Sequence, residues 1–149
     1  MKLISILPSF VFLIIISSCT TLTLKPVSYA WPIESVLITD NNGNLEDQRY
    51  SLKISARKLI FEEFGNNTDL DSVEVRIIRN DAGYYFLTAQ KFKNVYVFRE
   101  SEASLKMENK ILVSETGLLS PVMNQRSPFI ELLDGNVRYM LKHNGVEGK

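Results

Sequence analysis

The sequence predicts a mainly β fold, an antiparallel β-sandwich or small barrel of about seven or eight short strands. Short runs in which apolar and polar residues alternate are typical of half-buried strands. Clusters of Gly, Asn and Asp, which favour turns, separate these runs at short intervals. The length of 149 residues suffices for one compact domain and is too short for two of ordinary size.

The first predicted strand covers residues 35–39 and runs into a turn cluster at residues 40–44. The Asn-Gly pair in this cluster favours a type I′ hairpin turn, because glycine adopts a positive φ without strain. A calcium-binding EF-hand loop starting at Asp40 would need Gly at its sixth position, where the chain has Leu45. We therefore expect a turn here and no calcium site.

Two interpretations are open for residues 45–64. Alternating side chains from Tyr50 to Ala56 predict a strand, followed by a continuing strand or one short helix that ends at Gly65. The alternative is an α+β fold with one helix around residues 45–64, because five apolar residues would then share one helix face. These five residues are Leu52, Ala56, Leu59, Ile60 and Phe64.

The next part of the chain favours sheet more strongly, because residues 73–77 alternate between apolar and charged side chains. The turn sequence at residues 80–83 predicts a hairpin whose final glycine has a positive φ. In that hairpin Ile77 lies opposite Leu87, and residues 84–89 form the returning strand.

Three further strands are predicted beyond this hairpin, at residues 95–98, 105–107 and 111–113. The tripeptide Glu108-Asn109-Lys110 is the predicted turn between the last two of them. Residues 118–126 contain Pro121 and have mixed polarity, which indicates a loop.

The last predicted element is a hairpin formed by residues 129–133 and 136–141 around an Asp-Gly pair. A two-residue Asp-Gly loop places Glu131 opposite Arg138, and these opposite charges would attract each other on the solvent-exposed face. The apolar pairs on the other face are Leu132 with Val137 and Ile130 with Tyr139.

The amino-terminal segment carries the clearest functional signal. Lys2 precedes an apolar run from Leu3 to Ile16, which is shorter than the ~20 residues that a transmembrane helix needs. The run and its flanks fit a secretory signal peptide, the alternative being a buried core helix. It ends in Ile16-Ser17-Ser18-Cys19, and Cys19 is the only cysteine of the chain.

These four residues resemble the lipobox of bacterial lipoproteins, which has an aliphatic residue, two small residues and then cysteine. The family usually has leucine where this chain has Ile16, and the resemblance covers only about the first 20 residues. It implies a diacylglycerol, carrying fatty acids such as palmitate, on the sulfur of Cys19. It also implies cleavage between Ser18 and Cys19. Thr20 stands where an acidic residue would retain such proteins, which implies export to the outer membrane.

Cleavage at that point would divide the chain into four parts. Residues 1–18 are the signal peptide, 19–28 a lipidated tether, 29–143 a single globular β-rich domain and 144–149 a tail that should fray. With the signal peptide removed, the mature chain has a net charge of −1. A near-neutral chain argues against nucleic-acid binding that depends on counterion release.

The sequence contains few residues that could perform catalysis or hold a metal. A single cysteine excludes an internal disulfide framework and a multi-cysteine metal site. The single histidine, His143, lies near the chain end, where a general base would lack a fixed partner. The neighbouring acids at Glu62-Glu63 and at Glu100 and Glu102 are more typical of a solvated face than of a catalytic pair. We predict no catalytic, cofactor-binding or metal-binding residues and expect no enzymatic activity.

An aromatic cluster is the remaining candidate for a binding site. Tyr84, Tyr85 and Tyr96, together with Arg126 as a cation that would recognise a carboxylate or phosphate, form a possible ligand surface. The competing interpretation is that the aromatic rings belong to the core. Trp31 near the tether would serve either as a lid over the core or as an interfacial anchor near lipid.

These observations predict a lipoprotein of the bacterial cell envelope that is anchored in the membrane through the lipid on Cys19. Thr20 predicts that this membrane is the outer membrane. Its folded domain is expected to act as a binding or structural accessory module for another envelope protein. One alternative is a carbohydrate- or peptidoglycan-binding lipoprotein, and another is an enzyme with no recognisable site. An unprotected sheet edge would favour the protein partner.

Overall fold

The computed structural model describes residues 29–102 and 104–148. The predicted signal peptide, the tether and Cys19 lie outside the described residues. Among those residues no helix is long and apolar enough to cross a bilayer. The predictions for residues 1–28 therefore stay predictions.

The described chain forms eleven strands and one helix, which confirms the predicted mainly β, antiparallel fold. The elements are β1 (Ser35–Ile38), β2 (Asn44–Asp47), β3 (Leu52–Ser55), α1 (Arg57–Phe64), β4 (Glu74–Arg79), β5 (Tyr84–Ala89), β6 (Asn94–Ser101), β7 (Ser104–Leu112), β8 (Pro121–Arg126), β9 (Phe129–Asp134), β10 (Val137–Lys142) and β11 (Gly145–Val146).

These strands build two larger sheets and one separate hairpin. The first sheet has five strands in the order β1-β4-β5-β6-β7, and the second has four in the order β11-β10-β9-β8. The hairpin β2–β3 stands apart from both. Apolar residues from both sheets, the hairpin and α1 join in one core cluster, for example Phe86, Ile130, Leu45 and Ile60.

The five-stranded sheet is covered on both faces. On one face the Tyr96 hydroxyl donates to Glu63 of α1, and the Ser35 hydroxyl donates to Asp47 of β2. On the other face Tyr84 stacks on His143, which follows strand β10 of the second sheet. The central strand β5 is accordingly buried along almost its whole length.

The hairpin between β4 and β5 has the predicted register. Ile77 lies opposite Leu87, and Gly83 has φ +84° at the end of the turn. The Asn80 side chain closes that turn by accepting a hydrogen bond of 2.9 Å from the Tyr84 amide. Local sequence was sufficient here because the turn residues alone set the pairing.

The segment 45–64 combines both interpretations. Its first half forms the hairpin β2–β3, and its second half forms α1, which ends at Gly65 as predicted. The alternative of one helix across residues 45–64 is wrong for residues 45–56. Leu45 and Asp47 are buried with period two, which is the alternation of a strand.

The turn at residues 40–44 is present but is not of type I′, because only Gly43 has a positive φ. The Asp40 carboxylate holds it by accepting hydrogen bonds of 2.8 Å from the amides of Asn42 and Asn44. The strands on either side, β1 and β2, do not pair with each other.

Two predicted irregular segments are wrong. The predicted turn at residues 108–110 lies inside the continuous strand β7. Val97 pairs with Asn109 and Phe98 with Met107, so Glu108 is the extra residue of a β-bulge. The predicted loop at residues 118–126 contains strand β8, which Pro121 begins at a position that tolerates proline.

The last hairpin exists, but its predicted register is wrong by two residues. Asp134 pairs with Val137, so the loop is Gly135-Asn136 and Glu131 lies opposite Met140. Arg138 still reaches Glu131 from a diagonal position, with 3.0 Å between Nε and Oε1. Glu131 is only 2% exposed, which contradicts the expected solvated face.

The tail is also more ordered than predicted. Residues 145 and 146 form β11, which pairs with Leu141 and Lys142. The amide of Glu147 donates to the carbonyl of Met140 at 2.8 Å. The second sheet thus extends through residues that were expected to fray.

Candidate functional site

Strand β1 forms one edge of the five-stranded sheet and is the first candidate for a functional surface. Within the described chain it pairs only with β4. Three aliphatic side chains at this edge are exposed to solvent: Ile33 by 63%, Val36 by 45% and Ile38 by 66%. No residue between Ser35 and Ile38 carries a charge. We call this surface the β1 edge.

The backbone of the β1 edge offers hydrogen bonds to a further strand. The Thr39 amide donates to the Val73 carbonyl at 3.1 Å. The backbone N–H and C=O groups of the odd-numbered residues in this segment therefore point towards β4. Backbone groups alternate in direction along an antiparallel strand. The N–H and C=O groups of Val36 and Ile38 therefore point away from β4, beside their own exposed side chains.

Side-chain hydrogen bonds fix β1 against the hairpin β2–β3. The Ser35 hydroxyl donates to Asp47 at 2.5 Å, and Arg49 donates to both residues at 2.8 and 3.0 Å. Burial alone would raise the pKa of Asp47, but the hydrogen bonds from Arg49 and Ser35 outweigh it and lower that pKa. The edge is thus a fixed surface and not a loose end.

The predicted ligand residues Tyr84, Tyr85, Tyr96 and Arg126 do not form a common surface. Tyr96 is fully buried, and its hydroxyl donates to Glu63 at 2.9 Å. Burial, together with that hydrogen bond, raises the pKa of Tyr96 well above its ordinary value. Its ring therefore belongs to the core.

The side chains of Tyr84 and Tyr85 point to opposite faces of the sheet, as those of successive residues in a strand do. The Tyr84 ring stacks on His143, with 4.4 Å between ring centroids, and the Arg99 guanidinium lies 5.3 Å from its centroid. His143 is exposed, but its ring is held in this stack. The Tyr84 ring is thus engaged by groups of the chain itself.

Tyr85 lines an open cleft of about 730 Å³ between the hairpin β2–β3 and the ends of β6 and β7. Its hydroxyl donates to Glu100. Burial and this hydrogen bond raise the pKa of Tyr85 to about 12. Tyr50, Glu102 and Leu105 line the same cleft, which we call the Tyr85 cleft.

Trp31 lies behind the Tyr85 cleft. It stacks on Tyr50 with 3.9 Å between centroids and meets Tyr85 edge to face at 5.6 Å. Because Trp31 is buried, it acts as the predicted lid over the core and not as an exposed interfacial anchor. The buried Arg79 guanidinium lies 5.5 Å from the Tyr85 ring on the same side.

Arg126 lies on the second sheet, apart from the tyrosines. Its Nε donates to Oε2 of Glu131 at 3.3 Å, while its side chain is 64% exposed. Arg138 approaches the other oxygen of the same carboxylate. The burial of Glu131 was not predicted, because it depends on diagonal contacts with arginines from the two neighbouring strands.

Three of the four acidic residues considered for catalysis, Glu62, Glu63 and Glu100, have structural partners. Glu63 accepts hydrogen bonds from the Lys93 amide, the Asn94 side chain and Tyr96, and Glu62 accepts one from Lys110. In the described part of the chain, no group of three or more His, Cys, Asp or Glu side chains is arranged to hold a metal ion. Through these hydrogen bonds, Glu62 and Glu63 hold α1 against the five-stranded sheet.

A mostly buried ion pair at the junction of the two sheets was also missed. Arg76 binds Glu34, whose other oxygen accepts a hydrogen bond of 2.9 Å from the amide of Met123. Alternation marked Arg76 as a surface residue, and nothing local indicates its distant partner.

No family model matches the chain, and neither the curated proteins nor the solved structures contain a significant match.

Proposed function

We propose that this protein is a membrane-anchored lipoprotein of the bacterial envelope whose domain binds another envelope protein. The partner would add one of its own strands to the β1 edge. The observation that carries the proposal is the unguarded state of that edge: four uncharged residues with exposed Val36 and Ile38. An exposed apolar edge of this kind is otherwise a hazard for aggregation.

Strand addition uses the two sets of groups that the β1 edge offers. Main-chain hydrogen bonds to Val36 and Ile38 would supply affinity, and contacts with their side chains and with Ile33 would supply selectivity. Four residues allow only a few such bonds, so the intrinsic affinity would be low. Anchoring both proteins at one membrane raises their effective concentration and compensates for that low affinity.

The proposed anchor is the lipid on Cys19. One acyl chain binds a bilayer only marginally, whereas two or more hold a protein stably. We expect a labelled fatty acid to be incorporated into the wild-type protein and not into Cys19→Ala, which would persist as an uncleaved precursor or appear in soluble form. Absence of label in the wild type would contradict the anchor.

Site-specific photocrosslinking in cells tests the partner. A photoreactive residue at Ile38 should form one adduct with a distinct envelope protein, whereas the same residue at the exposed Met107 of β7 should form none. Adding Val36→Lys should abolish the Ile38 adduct without changing the melting temperature. Equal adducts from both positions, or an adduct of twice the chain's own mass, would contradict a separate partner.

A carbohydrate or peptidoglycan ligand is the second candidate, favoured by the Tyr85 cleft with its tyrosines and carboxylates. Trp31 is the only tryptophan of the chain and contacts two tyrosines that line the cleft. Its fluorescence should therefore change when peptidoglycan fragments are titrated, and Tyr85→Phe should weaken that response. An unchanged spectrum up to millimolar ligand would argue against this candidate.

A further inference from the structure

We propose that the strand bound by the β1 edge carries lysine or arginine at the end that lies beside Ile38. This inference rests on the proposed strand addition and specifies the chemical class of the added segment, which is aliphatic in its middle and basic at one end. The observation behind it is an excess of negative charge where β1 ends. Four exposed acidic residues flank that end of the strand: Asp40, Asp69, Asp71 and Glu74.

Two of these four carboxylates are placed by β1 itself and by its pairing with β4. Glu74 lies directly opposite Ile38 across the two strands. Asp40 follows Thr39, and its amide donates to the carbonyl of Asn44 in β2 at 3.0 Å and not to β4. Asp40 therefore lies where the chain leaves β1, beside the free edge.

The other two carboxylates stand on the loop that precedes β4. The Thr39 carbonyl accepts a hydrogen bond of 3.0 Å from the Ser72 amide, and the Thr39 hydroxyl donates to the Leu70 carbonyl at 2.6 Å. Asp69 and Asp71 are the chain neighbours of these two loop residues, and the Asp71 amide donates to Asp69 at 3.0 Å. The loop is thus fixed to the end of β1 and carries two negative charges there.

Neighbouring cations do not neutralise this end of β1. Among the described residues, the three aspartates form no ion pair. Arg76 is shared between Glu74 and Glu34, so it compensates only one of these two charges. The backbone hydrogen bond from Asn44 lowers the pKa of Asp40, which keeps that carboxylate ionised at neutral pH. Within the same described ranges, the four acids are not arranged to hold a metal ion.

The opposite end of β1 lacks this excess of charge. Beside Ser35, the Arg49 guanidinium pairs with Asp47 at 3.0 Å. The β1 edge therefore has an apolar middle, formed by Val36 and Ile38, and one acidic end. Charge complementarity across an interface attracts the right partner, disfavours others and fixes the register. A strand with aliphatic side chains and a basic end meets all of these features.

Crosslinking of designed peptides to the purified full-length protein tests the inference. A photoreactive residue at Ile38 reports a peptide on the β1 edge, and the same residue at the exposed Met107 of β7 gives the background. Two peptides share one alternating Val-Thr centre and are flanked on both sides by either lysines or glutamates. At low salt we expect about tenfold more Ile38 adduct from the lysine peptide. High salt should bring the two yields together, because it screens exposed charges.

A matched pair of double variants separates local charge from overall charge. Asp71→Asn with Glu74→Gln should reduce the preference for the lysine peptide by about threefold. Glu102→Gln with Glu108→Gln removes the same charge in and beside β7, at the opposite edge of the sheet, and should leave the preference unchanged. Equal effects of the two double variants would assign the preference to net charge and would contradict the inference.

The peptide yields also separate this inference from the proposed strand addition. Equal Ile38 adducts from both peptides, or more adduct from the glutamate peptide, would overturn the basic end and leave strand addition standing. Yields no higher than the Met107 background for either peptide would overturn both. A lysine peptide with proline in its centre cannot continue a strand ladder and should give only background. As much adduct from it as from the unbroken lysine peptide would show attraction without pairing and would overturn the inference.

Discussion

The two edges of the five-stranded sheet differ in how they meet solvent. Strand β7 is nine residues long and carries Lys106 and Lys110, and the bulge at Glu108 interrupts its regular pairing. Strand β1 is four residues long, uncharged and lined by exposed aliphatic side chains. Lysines and bulges are the devices by which proteins prevent strand pairing at an edge. The difference indicates that one edge is closed to other chains and the other is open.

Length completes the contrast. A nine-residue edge without guards would pair with many chains, whereas four residues support only a few hydrogen bonds. Lys110 is additionally fixed by Glu62 of α1 at 2.5 Å, and this hydrogen bond raises the pKa of Lys110. Lys110 on β7 therefore stays positively charged over the physiological pH range. The short β1 edge suits a selective contact better than general association.

The largest effect is expected at the base of the closed edge. The loop after β7 packs on residues 91 and 92, and a Cβ at Gly117 would lie 2.6 Å from the Lys91 carbonyl oxygen. Gly117→Ala should lower the free energy of unfolding by about 3 kcal/mol, from this clash and from strain at φ +92°. Denaturant unfolding gives the value.

Gly135→Ala is the matched control, because Gly135 also has a positive φ but a Cβ added there would have nothing within 4 Å. It should cost about 1 kcal/mol, the strain alone. Equal losses of unfolding free energy in the two variants would show that the close contact of residue 117 with Lys91 does not stabilise the loop after β7.

Tyr85 and Asp47, which line the same cleft on one face of the five-stranded sheet, should lose their stabilising contributions at opposite ends of the pH scale. Because the pKa of Tyr85 is raised to about 12 from its ordinary 10.0, its contribution is complete below pH 10.0 and is lost as pH rises through about 12. The pKa of Asp47, beside β1, is lowered, so its contribution is present above the ordinary pKa and is lost as pH falls through the lowered one.

Melting temperatures across pH test this contrast. Tyr85→Phe should flatten the alkaline loss, which we expect to be on the order of 1–2 kcal/mol, and leave the acid side unchanged. Asp47→Asn should flatten only the acid side. A variant that changes stability equally at acid and at alkaline pH would contradict the assignment of one titrating group to each end of the pH range.

The smallest effect on stability is expected from exchanging the edge residues themselves. Ile38→Lys and Lys106→Ile alter exposed positions and should each change the free energy of unfolding by less than about 0.5 kcal/mol. Their effects on aggregation should nevertheless be opposite. Ile38→Lys should raise the protein concentration at which light scattering begins, and Lys106→Ile should lower it. Shifts in the same direction would remove the distinction between the edges.

Local sequence determined the parts of this fold that depend on neighbouring residues. Alternation predicted β4 and the strand before α1. The turn at residues 80–83 predicted the returning strand β5 and the pairing of Ile77 with Leu87. Gly65 correctly marked the end of α1. Side-chain period and turn chemistry act over a few residues, so they are legible in the chain itself.

Tertiary structure alone decided how these pieces meet. The bulge at Glu108, the shifted register of the last hairpin and the burial of Glu131 depend on strands that approach from elsewhere in the chain. So does the choice of edges: the pattern of β1 predicts a strand, but only the sheet order leaves that strand, within the described residues, without a second neighbour. Contacts between distant residues have no signature in local spacing, because sequence pattern specifies which face of a strand is buried and not which strand lies beside it.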